Sequence, residues 1–435
     1  MPGPPEHREM TIQFLLTALR SGDENLPAYL DRLEAWFNEC EPRVMAFVPE
    51  EGRFARLRDE AGRLLARYPD EAARPPLFGL PIGVKDIFHV DGFVTRAGSR
   101  LPAELLQGPE AECVSILRQA GALILGKTIT TEFAYFAPGP TRNPRHLAHT
   151  PGGSSSGSAA AVAARLCPFA FGTQTIGSIN RPAAFCGVVG FKPSHDRIAT
   201  GGIIPLSASH DHVGFFTQDV AGAERMAAHL CSNWRKPAFN GRRPTLGIPT
   251  GPYLEQASPE GLAHFRADCD RLANAGYALV MIDALPDFEE IRRQHLLLVA
   301  AEAARYHAAW FDRYASCYHP KTADLIRNGQ TYSDNEVVEA RAYRLGVRES
   351  LTNLMGAHDI DLWISPSARG PAPEGLASTG DPIMNLPWTC AGLPTLTIPT
   401  GADEAGLPLA LQLVGRWQED EVLFQFGQGI EELSK

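Results

Sequence analysis

Pro151-Gly-Gly-Ser-Ser-Ser-Gly-Ser158 runs without a break into Ala159-Ala-Ala-Val-Ala-Ala164, and no charged side chain occurs between Gly152 and Ala164. Alanine is the strongest helix former, so the stretch reads as a tight loop feeding a helix and not as a flexible linker. Side chains this small let backbones approach closely, and the first N–H groups of such a helix point at whatever the loop holds. Working outward, Ala122 to Lys127 reads as a strand after the helical Cys113 to Ala120, and Leu77 to Val84 as another strand ahead of the Asp91-Gly92 turn. That rhythm of strand and helix is the mark of an α/β sheet. Helical spacing dominates Thr11 to Arg67 and returns in Pro259 to Ala275 and Leu296 to Leu351. Strand-like runs resume at Asp361 to Ile364, Pro394 to Pro399 and Leu407 to Val414, and Glu419 to Leu433 closes as a helix. The expected fold is one large α/β domain over residues 1–435, with a mixed, mainly parallel central sheet covered by helices. Its expected parts are a helical cap (11–67), a core (77–220), a variable helical region (255–355) and a C-terminal return to the core (356–435).

The 435 residues are 44% hydrophobic and 21% charged, which fits a folded globular chain. A formal charge of -10 and an absence of basic clusters argue against nucleic acid or an anionic membrane as a direct partner. The eight cysteines are spread singly, with no CxxC pair, so a reducing cytoplasm is the expected setting. Met1 to Glu9 shows no apolar stretch of the kind that targets a chain outward.

Three segments carry candidate chemistry. Gly79-Leu-Pro-Ile-Gly-Val-Lys85-Asp86 places a lysine at the end of an apolar strand, where desolvation would favour a neutral amine able to act as a base. The Gly/Ser run around Gly153 and Ser154 can present backbone N–H groups to an oxyanion. In Gly172-Thr-Gln-Thr-Ile-Gly-Ser178-Ile-Asn-Arg-Pro182, consecutive N–H groups of Thr175, Ile176 and Gly177 can form a nest beside Ser178. Gly153-Ser-Ser155-Ser-Gly157 also matches a nucleophile elbow formally, but only His358 lies in the last quarter of the chain and nothing around it marks a catalytic base. His195, His210 and His212, with Asp196 and Asp211, match no common zinc spacing, so no metal is expected. Cys186 and the other cysteines read as small apolar residues, and Trp388 as a core aromatic or a pocket wall.

Taken in order, the three segments make the sequence resemble the amidase signature family. That family is marked by a lysine in a Gly-x-Lys-Asp strand, a Gly-Gly-Ser-Ser loop, and a Gly-Thr-x-Thr-Gly-Gly-Ser loop 24 residues further on, the step here from Ser154 to Ser178. Thr95 to Ser99, Gly126 to Thr128, Pro182 to Pro193, Ser209 to Gly214, Ala391 to Pro394 and Leu411 to Gly415 extend the likeness along almost the whole chain. The resemblance implies Ser178 as nucleophile, Ser154 as a bridging serine on a cis peptide, Lys85 as base, and Gly153 with Thr175, Ile176 and Gly177 around the oxyanion. It implies hydrolysis of a small carboxamide or urea-like C–N bond through an acyl-enzyme, without a cofactor. A homodimer or a small partner protein stays open. Two rival readings are the glutamine-hydrolysing component of a tRNA-dependent amidotransferase and a catalytically silent binding or assembly protein. The chain departs from the pattern at Gln174, where an acid is common, at Ile176, where glycine is usual, and at Asn180, where arginine is common. A β-branched residue at positive φ is an outlier, so Ile176 is expected at negative φ with its side chain narrowing the space beside Ser178.

Overall fold

The computed structural model describes residues 11–235 and 241–434; the first ten residues, read above for targeting signals, lie outside them. Ten strands are found: β1 (Pro81–Lys85), β2 (Leu123–Thr128), β3 (Phe169–Gln174), β4 (Val189–Lys192), β5 (His212–Thr217), β6 (Thr245–Pro249), β7 (Ala278–Ile282), β8 (Leu362–Pro366), β9 (Thr395–Ala402) and β10 (Pro408–Val414). They form one sheet in the order β2-β1-β3-β5-β4-β9-β10-β8-β6-β7.

The sheet is mixed, but parallel pairing does not predominate as expected. It is parallel at its two ends, β2-β1-β3 and β8-β6-β7, and antiparallel throughout the middle, from β3 to β8. Connection length accounts for part of this: a parallel partner needs a crossover of a dozen or so residues, whereas β9 and β10 are joined by the short turn Asp403 to Leu407. Strands β3 and β5 are buried along their full length, so they show no alternation of polar and apolar residues by which a sequence reading could find them. The strand expected from Leu77 begins only at Pro81. Residues 77–80 turn instead, with Phe78 N–H donating to the Pro75 carbonyl at 3.1 Å.

The helix Ser156–Ala163 lies buried on this sheet, and hydroxyls fasten it there. Ser155 Oγ both accepts from Thr173 N–H and donates to the Thr173 carbonyl (3.2 Å each), while Ser158 Oγ donates to the Phe171 carbonyl at 2.7 Å. Helix Arg53–Arg67 packs on β2 and Leu26–Val44 packs on that helix, while Ile12–Ser21 packs on helix Val220–Leu230. Helices Phe288–His307, Pro320–Gly329 and Asp334–Ala357 pack on one another around a second apolar cluster that holds Tyr253, Trp363 and Trp388. Trp388 is fully buried and donates to the Tyr253 hydroxyl at 2.9 Å, which makes it a core residue.

Close approach is what the small residues supply. A Cβ on Gly157 would sit 2.2 Å from the Ala46 carbonyl oxygen and 2.4 Å from Ile129 N, both backbone atoms that cannot move aside. Gly157→Ala is therefore expected to destabilise the fold by about 3 kcal/mol or more. Gly346, exposed within Asp334–Ala357 and with open space around its Cα, should instead gain about 0.5–1 kcal/mol on replacement by alanine. Urea midpoints of the two variants against wild type check both signs.

Candidate active site

Lys85 is the last residue of β1, and Thr173 stands near the end of the adjacent parallel strand β3, so both face the loops beyond the carboxyl ends of the strands, where open α/β sheets place their ligands. Lys85 Nζ donates to Ser154 Oγ at 2.8 Å and to Thr173 Oγ1 at 2.7 Å. The amine is fully buried, and among the described residues it has no ion-pair partner. Burial holds its pKa well below the usual lysine value; the charge of Asp211 opposes this, more weakly.

Ser154 follows a cis peptide bond, Gly153–Ser154. Its carbonyl accepts from Thr131 N–H at 3.2 Å, and the Gly153 carbonyl accepts from Arg181 Nη2 at 2.7 Å. Gly152 lies directly on Pro182: a Cβ there would come within 2.8 Å of Pro182 Cα. The Gly152 to Ser154 loop is thus joined to the start of helix Asn180–Cys186, which Ser178 immediately precedes. Ser178 is 8% exposed, against 1% for Ser154 and 0% for Lys85, so exposure to the outside rises along the series from amine to Ser178. Among the described residues Lys85 and Ser154 are hydrogen-bonded and Ser154 and Ser178 are not.

The loop from Thr175 to Ser178 is held from behind. Asp211 accepts the Thr175 hydroxyl and is itself fixed by N–H groups of Leu206 (2.8 Å) and Ser207 (3.0 Å). Burial raises the Asp211 pKa to about 6 in spite of these donors. Thr389 Oγ1 donates to the Ile176 carbonyl at 2.7 Å. At Gly177 a Cβ would meet Asn385 Oδ1 at 2.4 Å, so this position requires glycine. With the loop fixed from the rear, the N–H groups of Ile176, Gly177 and Ser178 donate to no protein group among the described residues. They are the free donors an oxyanion would use.

The departures noted in the sequence have a structural account. Gln174 Nε2 donates to Asn180 Oδ1 at 2.7 Å, and Gln174 Oε1 accepts from the N–H groups of Ile179 (2.8 Å) and Asn180 (2.9 Å). The two positions form one neutral, buried amide pair. Ile176 is not among the residues at positive φ, and its side chain joins the apolar cluster against which Tyr135 and Phe136 pack. Those two aromatics line an open cavity of about 520 Å³ with Lys321, Leu325 and Thr379, and Thr379 touches Gly153.

Sequence reasoning missed Thr173 as a partner of Lys85 and gave Arg181 no role. Thr173 falls within the Gly172 to Pro182 motif, two residues from Thr175, so its strand position was the available signal. Arg181 is 1% exposed, donates also to Thr379 Oγ1 at 3.1 Å, and leaves Nε and Nη1 without partners. The elbow reading of Ser155 is excluded by geometry, because its hydroxyl is used up on β3. His212 borders a smaller cavity of about 210 Å³ with Thr173 and Asp211, whereas His195 pairs with the exposed Asp196 at 3.0 Å.

A family model described as Amidase matches residues 24–424. The chain belongs to the amidase family. It is an amide-hydrolysing enzyme. The glutamyl-tRNA(Gln) amidotransferase A-type polypeptide of Synechococcus sp. (strain WH7803) is 31% identical, over 97% of each chain. Among solved structures, an amidase is 30% identical with a TM-score of 0.86, over 97% of this amidase and 99% of that chain. Native peptide amidase from Stenotrophomonas maltophilia is 25% identical with a TM-score of 0.82, over 99% and 98% of the two chains. No helix among the described residues is long and apolar enough to cross a membrane.

Proposed function

We propose that the protein hydrolyses a small carboxamide or urea-like C–N bond through an acyl-enzyme on Ser178, with Lys85 as base and Ser154 as the bridge between them. The observation that carries this reading is the buried Lys85 amine bonded to Ser154, its pKa lowered by burial and no carboxylate paired with it among the described residues. Ser178 Oγ attacks the carbonyl carbon while its proton passes to Ser154 Oγ and the Ser154 proton passes to Lys85 Nζ. The oxyanion forms against the N–H groups of Ile176, Gly177 and Ser178, each donor contributing about 3–4 kcal/mol. Collapse breaks the C–N bond and returns the proton by the same path to the departing ammonia or amine. Water then attacks the acyl-enzyme by the reverse relay.

The unpartnered guanidinium nitrogens of Arg181, beside Gly153, favour substrates that carry a carboxylate close to the scissile amide. A charge-assisted hydrogen bond to an anion is what these two nitrogens lack. Free glutamine satisfies the same chemistry, and relatives that bear the name of a glutamyl-tRNA(Gln) amidotransferase match nearly the whole chain; a partner-dependent glutaminase is therefore the second reading. Ammonia release from glutamine and from other short carboxylate-bearing amides, with and without candidate partner proteins, separates the two.

A fluorophosphonate is expected to attach to Ser178, with Ser178→Ala abolishing labelling and turnover; mass spectrometry finding the adduct on Ser155 would overturn the assignment. Because only the neutral amine accepts a proton, kcat/KM should rise with pH through the folded pKa of Lys85 and fall on the acid side as the ammonium forms. Lys85→Ala should cost about 10²–10⁴-fold and flatten that limb of the pH profile. Arg181→Met should raise KM for carboxylate-bearing amides at least tenfold relative to neutral amides, and an unchanged ratio of kcat/KM between the two classes would remove Arg181 from substrate recognition.

A further inference from the structure

Behind Thr175 lies a buried polar cluster that the proposed reaction does not use. His210, in the segment leading to β5, His295, on helix Phe288–His307, and Cys390, on helix Leu386–Ala391, bring three ligand atoms within 4.8 Å of one another. All three side chains are sealed from solvent, and the two imidazole rings stack at 3.9 Å. His210 Nε2 and one ring nitrogen of His295 have no hydrogen-bond partner, the other ring nitrogen of His295 meeting the Thr175 backbone. An unmet polar group in the interior costs about 1–3 kcal/mol, and two in one small space beside a thiol call for a shared ligand.

The chemistry of the three groups says what that ligand is. Burial keeps both imidazoles neutral, pushing His295 down to about 3 and His210 well below its usual value, and the neutral ring is the form that ligates metals. Cys390 is pushed up to about 12 by burial, but the charges of Arg344 and Arg348 act in the opposite direction. Arg344 Nε donates to the Cys390 carbonyl at 3.3 Å, so a guanidinium beside the sulfur favours its thiolate form. Packing alone explains a buried cysteine. It does not explain two adjacent histidines that each leave a ring nitrogen unmet.

We propose that His210, His295 and Cys390 bind one zinc(II) ion as a clamp behind the Thr175 to Ser178 loop. Two imidazoles and a thiolate are a donor set that zinc accepts, and its bond lengths place ligand atoms roughly 3.5 Å apart, within reach of small side-chain rotations from the present spacing. Formation of the Zn–S bond releases the thiol proton to solvent. The ion joins three segments remote in sequence, and two of them hold the loop directly: Asp211, next to His210, takes the Thr175 hydroxyl, and Thr389, next to Cys390, donates to the Ile176 carbonyl. The expectation of no metal considered His195, His210 and His212 with nearby aspartates. His295 and Cys390 join His210 only through the fold.

Protein expressed in zinc-supplemented minimal medium should carry one zinc per chain by elemental analysis, and Cys390→Ser and His295→Ala should each reduce this at least fivefold. Expression with cobalt instead should give a thiolate-to-cobalt absorption band in the near ultraviolet that Cys390→Ser lacks. Wild-type protein with substoichiometric zinc and no such cobalt band overturns the proposal whatever the variants do. Equal zinc in wild type and both variants overturns it as well. Neither measurement depends on turnover, so failure here leaves the Ser178 reading standing.

Discussion

A lysine amine enclosed between two hydroxyls is the constraint around which the rest is arranged. An ammonium in that place would be an unpaired charge out of water, so the fold selects the neutral form. Two other lysines are buried among the described residues, and each is treated differently. Lys127 keeps a carboxylate, Asp86, at 2.9 Å, and Lys192 turns to the Pro193 and Leu393 carbonyls with its pKa lowered to about 7. Among the described residues only Lys85 is both free of a carboxylate partner and in contact with a serine hydroxyl. Its basicity follows from what was left out around it.

Delivering that amine to a serine requires three backbone segments to meet where side chains would ordinarily keep them apart. Gly152 against Pro182, Gly157 against Ala46 and Ile129, and Gly177 against Asn385 are the places where a single Cβ would collide. The hydroxyls of Ser155 and Ser158 then replace bulk with directed bonds to β3. The Gly/Ser/Ala composition of this region is therefore a packing requirement of the site, and the chemistry and the fold are set by the same residues.

This explains what could be read in advance. Lys85, Ser154 and Ser178 lie in motifs whose spacing survives translation into one dimension, and the alanine run after the loop announces its helix. Strand β3, buried on both faces, left no periodic trace, and the antiparallel centre of the sheet depends on pairings between strands far apart in sequence. Thr173 and Arg181 were hidden for a different reason. Each has a partner on a segment remote in sequence, at Lys85 and at Gly153, and no local pattern records such a contact.

The departures at Gln174 and Asn180 belong to the same logic. Read along the chain they are two separate losses, of an acid and of an arginine. In the fold they are partners, joined at 2.7 Å in a site with no exposure. A carboxylate at 174 facing a neutral residue at 180 would be a buried charge without a counterion, which costs several kcal/mol, and an arginine facing a neutral amide would be no better. The substitutions are tolerable only together, and together they keep the start of helix Asn180–Cys186 capped by the Gln174 side-chain Oε1. The neutral pair also adds no negative charge near Lys85, where a carboxylate would draw the amine back toward its protonated form. Here the hydrogen bonds around position 174 are complete, and no carboxylate at that position opposes the effect of burial on the Lys85 amine.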